Sequence, residues 1–143
     1  MKNLINQIPS LFFIFALIIT TGSCSLMKSR EPAEAAVANF HIQYNDGQFR
    51  EIYSQADNEF KKSASEEQLL QLLETARRKL GMVKQSTQTK WNVNATTSGT
   101  LITLTYDVEF SEGKGTEQFV WRMNEDRALL YNYNVNSPLL ITR

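Results

Sequence analysis

The feature that most constrains this chain is a change of hydrophobic period at Gly81. Before it, apolar side chains recur at helical spacing; after it, they alternate with polar ones. Helices followed by strands, with no interleaving, predict an α+β domain with its helices packed on one face of an antiparallel sheet.

In the helical half, Pro32 suits a first turn, because its missing N–H costs nothing there. Val37, Phe40, His41 and Tyr44 then share one helix face, and Asp46-Gly47 ends the helix. Phe49, Ile52, Tyr53 and Ala56 predict a second, shorter helix. The third has capping-box residues at Ser65 and Gln68, with Glu66 and Glu67 at the positive end of its dipole. Its buried stripe is Leu69, Leu72, Leu73, Ala76 and Leu80. Arg77, Arg78 and Lys79 complement the dipole in the last turn, although such a run also suits an anionic ligand.

In the second half, Thr89, Trp91, Val93 and Ala95 predict one strand, and Thr96 to Gly99 a turn. Ile102, Leu104, Tyr106, Val108 and Phe110 alternate strictly with polar residues, as on a strand with one wet face. Ser111–Gly115 is a loop, Phe119, Trp121 and Met123 a third strand, and Asn124–Asp126 a tight turn. Leu129, Tyr131, Tyr133 and Val135 complete four strands. The expectation is three N-terminal helices on a curved four-stranded antiparallel sheet, occupying residues 32–143 as one domain.

The amino-terminal segment follows a different logic. Lys2 precedes an unbroken apolar run, Leu11–Ile19, which is short against the roughly 20 residues needed to span about 30 Å of hydrocarbon. Small residues follow, so residues 1–23 read as a signal peptide. Thr21-Gly22-Ser23-Cys24 resembles the bacterial lipoprotein cleavage box, in which the cysteine carries acyl chains of the palmitate kind. Two or more chains make such an anchor stable where one does not. The other reading is a plain signal peptide followed by a free thiol. Ser25 resembles the pattern of lipoproteins passed on to an outer membrane, in a cell that has two. Residues 24–31 would then be a lipidated cysteine and a short tether, reaching roughly 25 Å beyond Cys24 if extended.

Composition narrows the function. The chain has 143 residues, 15 basic against 15 acidic, one His and one Cys. Removing residues 1–23 takes away Lys2 alone among the charges and leaves 120 residues at a net −1. Nothing here makes a basic field for nucleic acid. One Cys excludes an intramolecular disulfide, and one Cys with one His is too little for a structural zinc site. No phosphate loop, dinucleotide fingerprint, nucleophile elbow or metalloprotease motif occurs, and no cofactor is expected.

Tyr44-Asn45-Asp46-Gly47-Gln48-Phe49 with Ile52, Tyr53 and Ala56, then Ser65-Glu66-Glu67-Gln68 with Leu80-Gly81, resemble the nuclear-transport-factor-2-like, or cystatin-like, cone fold. Phe119-Val120-Trp121-Arg122 with Leu130-Tyr131-Asn132-Tyr133 resembles its closing hairpin. More narrowly, the chain looks like an uncharacterised family of small exported bacterial proteins, over about residues 34–136. That resemblance carries over no catalytic residue.

Enzymes of the cone fold place an acid–base residue between sheet and helices. Here Asp107 and Glu109 have outward parity, which leaves the strand Ile102–Phe110 without an inward acid. The candidate cavity lining is His41, Tyr44, Tyr106, Trp121, Tyr131 and Tyr133, a set that equally suits core packing. Trp91, Asn92 and the Thr-rich outer sheet face are candidates for a homodimer or partner surface, or a plain solvated face. The leading expectation is a lipid-anchored cell-envelope protein, non-catalytic, binding a protein partner or a small apolar ligand. The alternative is a small isomerase- or hydrolase-like enzyme using His41 with a tyrosine hydroxyl, and its mark would be a carboxylate within hydrogen-bond reach of His41 in a cavity.

Overall fold

The computed structural model describes residues 24–141. The expected signal peptide, residues 1–23, and the lipidated side chain of Cys24 lie outside what is described. Helices α1 (Cys24–Asn45), α2 (Phe49–Ser54), α3 (Asn58–Ser63) and α4 (Glu66–Leu80) precede strands β1 (Val83–Thr96), β2 (Gly99–Phe110), β3 (Lys114–Asn124) and β4 (Arg127–Asn136). A last turn of helix, α5, covers Pro138–Ile141. The strands form one open antiparallel sheet in the order β1-β2-β3-β4. The α+β class holds.

The expected count of three N-terminal helices does not. Asp57 opens an additional helix, its carboxylate accepting a hydrogen bond from the Glu59 N–H at 2.8 Å. Its backbone N–H also donates to Leu130 O at 2.9 Å, which ties α3 to β4. Pro32 does not begin α1 but lies inside it. A proline costs a helix one hydrogen bond and can still be accommodated. Residues 24–31 are therefore helical, with a rise near 1.5 Å per residue in place of an extended tether.

Helix α4 carries the capping box that its sequence prescribes, with Gln68 N–H donating to Ser65 Oγ at 3.2 Å and Ser65 N–H to Gln68 Oε1 at 2.8 Å. Leu69, Leu73, Ala76 and Leu80 are buried from it, while Leu72 is left exposed. The basic run serves the fold: Arg77 donates to Asn45 O and Lys79 to Leu140 O. Gly81 adopts φ 79°, the left-handed region that glycine takes without penalty.

Strand β1 begins at Val83, well before the alternation is legible, because register shifts at Val83/Gln85 and Gln88/Lys90 interrupt it. Asn45 fixes that start: its amide donates to Val83 O at 3.0 Å and accepts from Val83 N–H at 2.8 Å. On β2 the expected inward set of Ile102, Leu104, Tyr106, Val108 and Phe110 is buried, and Asp107 and Glu109 face solvent. The core lies between this sheet face and the buried stripes of α1 and α4.

Candidate functional site

Helix α1 lays Phe40, His41 and Tyr44 against the inner face of the sheet. Opposite them β3 presents Glu117, Phe119 and Trp121 at alternate positions, and β4 presents Leu130 and Tyr133. Glu117 has 0% exposure. Its Oε2 is 2.6 Å from His41 Nε2, and Tyr133 O–H donates to its Oε1 at 2.6 Å. With the imidazole proton on Nε2, both oxygens accept one bond each. An inward acid thus exists on β3, although the sequence reading found none on β2.

Aromatic rings enclose this cluster. Phe40 packs on Phe119 at 5.0 Å and on Tyr133 at 4.8 Å between centroids. Phe119 also stacks on Trp121 at 5.8 Å and meets the His41 ring edge-on at 5.8 Å. Burial and the neighbouring Glu117 charge raise the Tyr133 phenol well above its ordinary pKa, so it stays a hydrogen-bond donor. Burial, with a smaller push from Glu117, also raises Tyr44, whose O–H donates to Gly81 O at 3.1 Å. Tyr106 is pushed up to about 12 by burial first and Glu34 second.

A His–Glu pair at this distance is chemically able to hold and orient a proton. The arrangement nevertheless leaves Glu117 sealed, with each oxygen in a hydrogen bond, and its two partners, His41 and Tyr133, are themselves buried. Among the described residues, no three His, Cys, Asp or Glu side chains converge as metal ligands would.

Of the six side chains expected to line a cavity, His41, Tyr44, Tyr106, Trp121 and Tyr133 come together in the buried interior. Tyr131 does not. The pairing Val120↔Asn132 is followed by Trp121↔Leu130, so Tyr131 is an unpaired bulge residue and the strand's parity reverses there. Tyr131 lies beneath the Arg122 guanidinium instead, at 4.6 Å. Trp91 likewise does not belong to the outer face: it pairs with Leu104 in the inward row and stays 49% exposed at the sheet edge, with Arg30 at 5.3 Å from its ring.

The surface of the described residues carries several depressions. One, about 540 Å³, lies against α4 and Arg50. A larger one, about 730 Å³, lies on the outer face of the sheet, away from the buried cluster. Asp107, Glu109, Lys114 and Thr116 line it, and Pro138 and Ile141 of α5 form its rim. A third, about 60 Å³, sits between α1, α2 and the β3–β4 pair and is lined in part by Trp121. The indole Nε1 of Trp121 is buried with no hydrogen-bond partner in the protein, a state that costs about 1–3 kcal/mol in general.

Fold and site together define a small α+β domain with an aromatic, hydrogen-bonded interior and an open polar sheet face. Residues 36–131 match the family described as a protein of unknown function (DUF4019), and the chain belongs to that family. No curated protein matches it.

Proposed function

We propose that this chain is a lipid-anchored envelope protein whose domain, of the nuclear-transport-factor-2-like cone type, is non-catalytic and binds a protein partner. The observation that carries this reading is the filled interior: the rings of Phe40, Phe119, Trp121 and Tyr133 occupy the space between sheet and helices. Glu117, the inward carboxylate beside His41, is fully buried and each of its oxygens already holds a hydrogen bond to a neighbouring side chain. An interior small-ligand site is disfavoured on the same ground, which leaves the outer sheet face and its 730 Å³ groove as the surface for a partner or a second copy. No helix among the described residues is long and apolar enough to cross a membrane, so anchoring rests on Cys24 and an outer-membrane address on Ser25.

Native mass spectrometry of the protein extracted from its own cells tests the binding role. A copurifying protein or a second copy is expected, and a lone, unliganded chain overturns it. For the anchor, Cys24→Ala moves the protein to the soluble fraction; a variant still wholly in the membrane fraction sinks that part.

One observation favours a second reading, an isomerase- or hydrolase-like enzyme: the His41–Glu117 contact at 2.6 Å. It requires His41→Ala to abolish an activity while leaving the denaturation midpoint near that of the unmodified chain. Loss of stability without loss of turnover removes it.

A further inference from the structure

We infer that the β1 edge of the sheet around Trp91 is a membrane-contact surface: the indole seats in the lipid headgroup layer, with Lys90 beside it for anionic headgroups. The inference rests on the anchor at Cys24 proposed above and adds to it the side of the domain that meets the bilayer. The first observation is where α1 reaches the sheet. Arg30 stands 5.3 Å from the Trp91 ring and approaches Gln88 Oε1 at 3.5 Å, so the helix meets the sheet at this edge. Cys24 precedes Arg30 by less than two helical turns, about 9 Å at 1.5 Å per residue. An acylated Cys24 holds its end of that helix at the bilayer surface. An upright α1 would leave the indole at the outer rim of the headgroup layer, about 5–8 Å thick on each side, and a tilted α1 lays it within.

The second observation is the chemistry of the edge. Trp91 belongs to the inward row and is still 49% exposed, because β1 has no strand beyond it. Tryptophan prefers the boundary between hydrocarbon and water, where its ring meets apolar chains and its N–H finds an acceptor. Strand β1 carries Lys84 and Lys90 and no acidic residue. Glu34 balances Arg30, whereas Lys90 is exposed, next to the indole and in no ion pair among the described residues. A lysine so placed is drawn to an anionic surface. Other faces carry acids that such a surface repels: Asp107 and Glu109 on the outer sheet face, Glu66, Glu67 and Glu74 along α4. With the β1 edge on the membrane, the outer sheet face and its groove stay open to a partner.

The test is depth quenching of tryptophan emission in the full lipidated chain, extracted from its own cells and reconstituted into phosphatidylcholine–phosphatidylglycerol vesicles. In the quenching sample the phosphatidylcholine carries bromine near the carbonyl end of its acyl chains. Flotation with the vesicles reads the anchor, and bromine quenching reads the indole. Trp121, 5% exposed in the core, is the second emitter and stays unquenched. The expected result is a blue shift on reconstitution and quenching by the brominated lipid, both lost in Trp91→Phe while that variant still floats. Lys90→Gln should weaken the quenching in these vesicles and leave it unchanged in phosphatidylcholine alone. A chain that floats with its emission unshifted and unquenched overturns the contact and leaves the anchor standing. Quenching that persists in Trp91→Phe overturns it too, since the signal then comes from Trp121. A Lys90→Gln chain quenched like the parent in both kinds of vesicle overturns the headgroup role of the lysine. A chain that does not float at all overturns the anchor and this contact with it.

Discussion

Glu117 is the residue on which the interior turns, and its side chain was nearly legible. Phe119, Trp121 and Met123 set an inward parity that, extended by one step, reaches Glu117. A charge at that step reads as the loop end of the strand, because burying a carboxylate is costly unless donors meet it. The donors come from residues 76 positions upstream and 16 downstream, a pairing that no local pattern encodes. Removing one of them prices the arrangement. Tyr133→Phe deletes a single donor and should cost about 1–3 kcal/mol, while Glu117→Ala strands two donors and should cost about 3 kcal/mol or more. Urea denaturation of both variants checks the order; an Ala variant within about 0.5 kcal/mol of the parent would show the cluster to be incidental. The tyrosines add a pH signature. Their folded pKa values lie above the unfolded value of 10.0, so their contribution is complete below pH 10 and declines as pH rises. For Tyr106 the loss falls between 10.0 and about 12, and Tyr133 and Tyr44 prolong it. Denaturation midpoints should therefore drop across that window.

Among the elements, those set by local chemistry were readable and those set by tertiary contacts were not. Helix α4 announces both of its ends in residues adjacent to them: Ser65 and Gln68 at one, Gly81 at the other. Strand β2, flanked on both sides and wet on one face, shows its alternation without interruption. Strand β1 sits at an edge, where two register shifts break the pattern, and the bulge at Tyr131 reverses the parity of β4 midway. A bulge is visible only in the pairing of two strands, so the alternation Leu129, Tyr131, Tyr133 and Val135 by itself puts Tyr131 on the wrong face. Helix α3 did have a signal, an Asp57 cap with Glu59 in the first turn, hidden by its closeness to α2. The legible cap of α4 permits a quantitative expectation. Ser65→Ala removes the acceptor for Gln68 N–H at an exposed helix start and should destabilise the domain by about 1 kcal/mol, with Ser65→Gly costing less than the alanine. Thermal unfolding of the pair checks the ranking, and equal losses would show the capping bond to be unimportant.

At the scale of the whole molecule, the consequential departure from the sequence reading is that α1 runs unbroken from Cys24 to Asn45. A flexible tether would let the domain tumble over a membrane surface, whereas a helix continuing into the core would fix its attitude. The rigidity depends on how the first turns are held, because Pro32 removes a hydrogen bond within the helix. Arg30 is the side chain placed to compensate. It pairs with Glu34 one turn on, approaches Gln88 Oε1 at 3.5 Å on β1, and stands over the Trp91 ring. Each contact is partly exposed and individually worth only about 0.3–1 kcal/mol, but together they fasten the helix to the sheet edge just before the proline. Arg30→Ala should therefore leave global stability within about 1 kcal/mol of the parent while releasing the helix upstream of Pro32. Amide hydrogen exchange on the detergent-solubilised chain separates the two effects. Protection should fall for residues 28–31 and persist at Val37 and Phe40, which are held by the core. Equal exchange in parent and variant would show that Arg30 does not fasten the segment to the sheet edge.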